Sequence, residues 1–121
     1  MIDSRPEPVE GSSAPEDDKI ITLARSALAR TDVGQGACVR DTDGRTYAGA
    51  AVHLEHLNLS AIAVAVAMAV SSGAPGLEAV AVAGVDGPTD GDLAIVGDLP
   101  GTGVVVWHVD LRGNLQSRID L

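Results

Sequence analysis

With 121 residues the chain has the size of one domain, and its 17 acidic against 8 basic residues give a formal net charge of −9, which would repel a nucleic-acid polymer. The single cysteine, Cys38, excludes an internal disulfide and a zinc site built from cysteine thiolates. No apolar stretch approaches the roughly 18 residues of a membrane span, and the acidic, proline-rich N-terminus is unlike a signal peptide. We therefore expect a soluble cytoplasmic protein that binds no membrane.

The N-terminal stretch is predicted to be a disordered tail followed by a helix. Residues 1–16 combine three prolines and several acids with a Gly-Ser-Ser run, a composition that buries too little apolar surface to fold. From Asp17 or Asp18 to Arg30 the apolar residues recur with helical spacing, which predicts an amphipathic helix. We therefore divide the chain into a tail, residues 1–16, and a single domain, residues 17–121.

A β-hairpin is predicted after this helix. Residues 37–40 have the composition of a core strand, and the turn Asp41-Thr42-Asp43-Gly44 carries the strongest hairpin signal in the chain. Residues 45–52 then return as the second strand. Residues 53–57 are expected to form the connection to the next element.

The stretch 58–73 is the most apolar part of the chain, with no polar side chain between Ala61 and Val70. Capping-type residues at its start and Ser71-Ser72-Gly73 at its end predict a helix. The alternation of alanine with larger residues is also typical of a strand, although alanine itself favours a helix. A helix that is apolar all round must be covered on every side, so we expect it in the middle of the domain.

The C-terminal part of the chain predicts two more buried strands, over residues 77–85 and 104–109. Between them, residues 86–102 are rich in Gly, Asp and Pro, which predicts a loop with at most a helical turn over residues 92–96. Residues 115–121 alternate weakly and fit either a last strand or a docked turn.

The order and spacing of these elements resemble the cytidine deaminase family. The segment from Val33 to Val39, V-G-Q-G-A-C-V, is similar to the "VGAAL" first strand of that family, and the segment from Asp43 to Gly49, D-G-R-T-Y-A-G, to its "DG-x-iy-x-G" hairpin. Ser72-Gly73 and the following strand are similar to its "s-x-G" segment. The resemblance covers about residues 20–85 and, more loosely, the rest. It implies a three-layer α/β/α sandwich with a mixed sheet of four to five strands, and a central helix whose N-terminus carries the active site in the deaminases.

The residues that perform zinc chemistry in this family are replaced. A zinc deaminase needs a His or Cys ligand, a Glu two residues later and a Pro-Cys-x-x-Cys pair, because the ligands hold the ion that acidifies water and the Glu moves the proton. The first positions match Ser60-Ala61-Ile62, and the cysteine pair matches Thr89 and Asp92. The ribose-binding Asn-x-Glu matches Ala51-Val52-His53. The resemblance therefore implies a degenerate member with no catalytic residue, no metal and no cofactor.

Two other candidate sites each have a structural interpretation beside the functional one. His53 and His56, with Glu55 between them, could hold a metal ion or could belong to a polar loop at the mouth of a vestigial pocket. Cys38 could be a reactive thiol or a small buried side chain in a core strand. We expect the structural role for each.

These observations predict a zinc-free, deaminase-like protein with a binding or assembly role. Since deaminases of this family commonly form dimers or tetramers, the resemblance implies a homodimer or homotetramer. Two alternatives stay open: a small-molecule or nucleobase binder, and a nucleoside deaminase that keeps weak activity through unexpected ligands. The remnant pocket of the binder would comprise Ala51, His53, His56, Ser60, Ile62, Thr89, Asp92 and Trp107.

Overall fold

Within residues 15–121, which the computed structural model describes, the chain forms three helices and seven strands. In chain order they are α1 (Pro15–Ala29), β1 (Gln35–Asp41), β2 (Thr46–Ala50), β3 (Val52–His53), β4 (Asn58–Leu59), α2 (Ala61–Ser71), β5 (Leu77–Gly84), α3 (Asp90–Gly97), β6 (Val105–Val109) and β7 (Leu115–Asp120). None of the helices in this part of the chain is long and apolar enough to cross a membrane.

Five of the strands form one mixed sheet in the order β2-β1-β5-β6-β7. β1 pairs antiparallel with both β2 and β5, β5 and β6 run parallel, and β7 is antiparallel to β6. β3 and β4 form a separate two-stranded ladder in which His53 lies opposite Asn58. Because α1 packs on one face of the large sheet and α2 and α3 pack on the other, the predicted three-layer α/β/α sandwich is confirmed.

The face of the sheet beneath α1 is built mostly from small side chains. Ile20 and Ala24 of the helix are fully buried against a surface formed by Cys38, Ala79, Ala81, Ala83, Trp107 and Val109. Gly36 of β1 lies directly under the helix, since a Cβ atom at this position would collide with the carbonyl oxygen of Ala24. α1 therefore sits close on the sheet, and only glycine fits at this point of contact.

On the other face, α2 and α3 cover a core of larger side chains. Ser60 is the N-cap of α2, and its Oγ accepts a hydrogen bond from the backbone N–H of Ala63 over 3.1 Å. This cap confirms the helix over the strand that the alternation also allowed. Ile62 and Val66 are buried against valines of the sheet, which are Val39, Val80, Val82 and Val106.

The prediction that α2 is covered on every side is wrong. Met68 is 41% exposed and Val70 is 53% exposed, and Ala67 is exposed as well. α2 lies over β1 and β2, at the edge of the sheet, and no other element within residues 15–121 covers its outward side. We refer to these three residues, together with the half-buried Ala63 and Val64, as the outer face of α2. An entirely apolar sequence shows that the helix has no polar face. It does not ensure that other elements of the fold cover every side of the helix.

Several element boundaries differ from those predicted. Pro15 and Glu16, which the sequence placed in the tail, form the start of α1, because the fixed φ of proline suits the first helical position. The rest of the predicted tail lies outside the described residues. The predicted second strand of the hairpin is divided at Ala51, so His53 lies in β3 and not in a connecting loop.

α3 is a complete helix of 8 residues where the sequence predicted at most one turn. A capping box begins it: Thr89 Oγ1 accepts a hydrogen bond from the N–H of Asp92, and Asp92 Oδ2 accepts one from the N–H of Thr89, both over 3.0 Å. The box satisfies two backbone donors at the start of the helix. The last segment is a strand, β7, which was one of the two predicted alternatives.

Candidate functional site

A cleft of about 530 Å³ opens where the start of β1, the end of β5 and the N-termini of α2 and α3 meet. This volume is in the range of small-molecule binding sites. Its described lining residues are Val33, Gly34, Gln35, His53, Asn58, Ser60, Val85, Asp86, Gly87, Thr89 and Asp92.

Three of these lining residues are joined by hydrogen bonds, and we call Ser60, Thr89 and Asp92 the Asp92 cluster. The hydroxyl of Ser60 donates to Asp92 Oδ1 over 2.6 Å, and the N–H of Thr89 donates to Asp92 Oδ2 over 3.0 Å. Asp92 is only 4% exposed, so its carboxylate connects the starts of α2 and α3 away from water. The positions to which the resemblance assigned the zinc ligands therefore meet in space.

The donor set of the Asp92 cluster does not fit a zinc ion. Zinc in proteins is bound by thiolates, imidazoles and carboxylates, and two of the three positions here carry hydroxyl groups. The carboxylate of Asp92 directs its oxygens to Ser60 and Thr89. Across residues 15–121, no three His, Cys, Asp or Glu side chains come close enough to share a metal ion. Ile62, to which the resemblance assigned the position of the proton-moving Glu, is fully buried in the apolar core.

Gln35 lines the cleft although no sequence motif indicated it. Its Oε1 accepts a hydrogen bond from the N–H of Ala61 over 3.1 Å, and its Nε2 is 3.5 Å from the carbonyl oxygen of Asp86. The side chain thus satisfies a free N–H at the start of α2 and reaches the loop after β5. A polar residue between two glycines at the start of a core strand was the signal that could have identified it.

Four of the eight predicted pocket residues line the cleft, namely His53, Ser60, Thr89 and Asp92. Ala51 and Ile62 are buried in the core beside it. His56 is exposed in the turn between β3 and β4 and is not among the lining residues.

Trp107 was wrongly assigned to the pocket. Its side chain belongs to the core cluster beneath α1, and its Nε1 donates to Asp17 Oδ2 over 3.0 Å. Successive residues of a strand point to opposite faces of the sheet. Because Val106 faces α2 and α3, Trp107 must face away from the cleft.

The residues of the two other candidate sites lie apart, His53 in the β3–β4 ladder and Cys38 in the core strand β1. His53 Nδ1 lies 2.7 Å from Asn58 Oδ1 across the β3–β4 ladder, which orients the imidazole, and His53 and His56 belong to no metal-binding group within residues 15–121. Burial raises the pKa of the Cys38 thiol to about 11, so the group is a neutral thiol near pH 7 and a poor nucleophile.

The cleft carries acidic and neutral polar groups. Asp86 and Asp92 are the carboxylates of its described lining, His53 is the imidazole, and neither Lys nor Arg is present in that lining. A phosphate group would meet these carboxylates with no cationic Lys or Arg side chain in the described lining, which disfavours nucleotides relative to neutral or cationic small molecules.

Comparison with known proteins agrees with the fold. A family model described as cytidine deaminase-like matches residues 13–113 of the chain. Cytidine deaminase from Burkholderia pseudomallei has 20% identity and a TM-score of 0.72, over 85% of this chain and 91% of that chain. Cytidine deaminase from Mycobacterium tuberculosis has 21% identity and a TM-score of 0.67, over 77% of this chain and 85% of that one. No curated protein matches the sequence. At these identities the solved structures establish the common fold.

Proposed function

Because the chain belongs to the cytidine deaminase-like family but carries a donor set that does not fit zinc, we propose that it is a non-catalytic member that acts by assembling with copies of itself. The hydrogen-bonded Asp92 cluster supports the loss of catalysis, since hydroxyl groups stand at two of the three ligand positions. The outer face of α2 supports the assembly.

Loss of deamination follows from the chemistry that the reaction requires. A zinc deaminase activates water at the metal and moves the proton through a Glu. Here the corresponding side chain is that of Ile62, which is 0% exposed and has no titratable group. We expect no loss of cytidine above the buffer blank when purified protein is incubated with it, with or without added zinc. Zinc-dependent turnover would favour the weak-deaminase alternative.

The outer face of α2 is an unusual surface for an acidic protein. The helix carries no charged residue, and two of its large apolar side chains, Met68 and Val70, are 41% and 53% exposed. Elsewhere the net charge of −9 opposes contact between copies, so an uncharged face is where two copies can approach. Burying apolar area contributes roughly 25 cal/mol per Å².

A second copy of the chain is the partner that this face fits. In a two-fold interface each helix packs against its own equivalent, which requires a self-complementary surface, and the small Ala63 and Ala67 allow close approach. One helix of 11 residues cannot provide the roughly 800 Å² per subunit that a stable dimer buries. Leu54 and Leu57, 64% and 48% exposed in the turn before α2, are further exposed apolar side chains available to such an interface.

Sedimentation velocity at micromolar concentration tests the assembly with a matched pair of variants. Met68→Glu places a charge on the outer face of α2, whereas Leu115→Glu places one on β7, at the opposite edge of the sheet, where the exposure of 39% is similar. We expect a dimer or tetramer for the wild type and for Leu115→Glu, and a folded monomer for Met68→Glu. A monomeric wild type, or the same mass for both variants, would contradict the proposal.

A second candidate function, binding of a small molecule, is favoured by the cleft itself. Its volume of about 530 Å³ and its polar groups, including those of the exposed Asn58 and Asp86, provide space and hydrogen-bonding partners. Because a phosphate would meet Asp86 and Asp92 without a compensating cation in the described lining, a phosphate-free nucleoside or nucleobase fits better than a nucleotide.

Thermal unfolding with cytosine, cytidine and cytidine monophosphate separates binding from assembly. A ligand present at 100 times its dissociation constant adds about 2.7 kcal/mol to the stability of the native state. We expect a higher melting temperature with a phosphate-free compound, and loss of that increase in Asn58→Ala. Asn114→Ala, which lies outside the cleft lining, is the control. An equal response to all three compounds in both variants would argue against a specific site.

A further inference from the structure

We propose that the Asp92 cluster replaces a metal as the cross-link between the N-termini of α2 and α3. Its central residue lies 32 positions from Ser60 in the chain, so the bond between them connects two separate helices. Within residues 15–121, the other connections at this point are the side chain of Gln35, which bonds the N–H of Ala61 and reaches the carbonyl oxygen of Asp86, and the apolar contacts of Ile62 and Val96 in the common core. The cluster is therefore a structural clamp at the mouth of the cleft.

The geometry of the carboxylate suits this role. Oδ1 binds the hydroxyl that caps α2, and Oδ2 binds the backbone N–H that begins α3. Ser60 completes the connection, because its Oγ also accepts from the N–H of Ala63 inside α2. Charge-assisted bonds of this kind are short and strong, and the distance of 2.6 Å is in the expected range.

The electrostatics of the site also favour an anion at this position. The starts of α2 and α3 both present backbone N–H groups and the positive end of a helix dipole. In a zinc bridge, thiolate, imidazole or carboxylate ligands surround the cation, whereas here a single carboxylate, 4% exposed, bonds both helix starts directly. Removal of Asp92 would leave the hydroxyl of Ser60 and the N–H of Thr89 without their acceptor.

The first test compares two aspartates in the first turn of α3. Asp92→Ala removes the buried carboxylate, and Asp90→Ala removes an exposed one of the same charge in the same turn. Because bonds to a buried charge are among the strongest in proteins, we expect Asp92→Ala to lower the melting temperature by roughly 10 °C, and Asp90→Ala by roughly 2 °C or less. Equal decreases would show that only the helix dipole is involved and would overturn the proposal.

A double-mutant cycle with Ser60→Ala isolates the bond between the helices. Ser60→Ala also removes the cap of α2, but that loss is the same in both backgrounds and cancels in the cycle. We expect Ser60→Ala to lower the melting temperature clearly less in Asp92→Ala than in the wild type. Additive shifts would contradict the proposal. If Asp92→Ala does not fold in buffer, the cycle is measured in a stabilising osmolyte such as trimethylamine N-oxide, with Asp90→Ala as the control, and the same two outcomes apply.

Discussion

The indole N–H of Trp107 donates a 3.0 Å hydrogen bond to Oδ2 of Asp17, so β6 is tied directly to the first turn of α1. Asp17 Oδ1 lies 2.9 Å from Arg40 Nη1, and Arg40 Nε donates to Glu78 over 2.8 Å. Desolvation alone would lower the pKa of Arg40, but the bonds to Glu78 and Asp17 raise it above its usual value. A charged network thus fixes α1 on the sheet.

We expect Asp17→Ala to lower the free energy of unfolding by about 3 kcal/mol, because it leaves Trp107 without its acceptor and Arg40 without one of its carboxylates. Glu16→Ala, which removes an exposed charge of the same helix turn, should cost less than about 1 kcal/mol. Urea unfolding at neutral pH measures both. Equal losses would mean that the helix dipole, not the buried network, determines the effect.

Asp41, in the hairpin turn, should make the free energy of unfolding decrease at acid pH. Burial would raise the pKa of Asp41, but hydrogen bonds from the N–H of Arg45, the hydroxyl of Tyr47 and the N–H of Asp43 lower it below its ordinary value. A folded-state pKa below that of the unfolded chain means that the stability is present above about pH 4 and is lost as the pH falls through the folded value.

The side chain of the Asp41→Asn variant is uncharged at every pH and does not titrate. Its denaturation midpoint should therefore decrease less than that of the wild type between about pH 5 and about pH 2. Tyr47→Phe, which removes one of the three donors, should give an intermediate pH dependence. Urea titrations across this range measure the difference. Parallel profiles for wild type and Asp41→Asn would mean that this carboxylate does not contribute.

The purified protein is expected to contain little zinc. With hydroxyl groups at Ser60 and Thr89, elemental analysis of the purified protein should find well under one zinc ion per chain. A chelator should leave the melting temperature unchanged, because removal of a ligand destabilises only a protein that binds it. Stoichiometric zinc that remains after dialysis would contradict both this expectation and the proposed function.

A zinc site should be restorable at the same place. Ser60, Thr89 and Asp92 already meet through bonds of 2.6 to 3.0 Å, so the variant Ser60→Cys, Thr89→Cys, Asp92→Cys brings three thiols together. The starts of two helices favour the thiolate form, and we expect one zinc ion per chain and a melting temperature that rises with zinc.

The matched control for this site moves one thiol by a single position. In Ser60→Cys, Asp90→Cys, Asp92→Cys the second cysteine lies on the exposed Asp90 position, so zinc should bind more weakly. A folded first variant that binds no zinc would show that the three positions do not correspond to the zinc ligands of the deaminases.

The features that depend on neighbouring residues were predictable from the sequence. Gly44 has a φ of +85°, which is the conformation that its place in the hairpin turn required. Ser60 caps α2, and Gly73, with a φ of +88°, follows its end. In each case the residue type satisfies a local backbone requirement, so the local sequence is enough to predict the turn or the cap.

The features that depend on distant residues were not predictable. Alternation along β6 shows that Val106 and Trp107 face opposite sides of the sheet, but not which side holds the cleft. Gln35 acquires its role from the start of α2, 26 positions away. The exposure of Met68 reflects the position of α2 at the edge of the sheet, which no local pattern records.

β1 pairs with β2, its neighbour in the chain, and with β5, which follows much later, so we expect the β1–β2 hairpin to form before β5 pairs. β1 meets β2 across a tight turn, whereas its pairing with β5 brings Gln35 opposite Gly84 and must wait until the intervening α2 segment is accommodated. Closing the longer loop costs more chain entropy and is slower. A nascent chain with the hairpin formed and β5 undocked exposes one edge of β1 and the apolar α2 together. Aggregation during refolding should therefore compete at this stage.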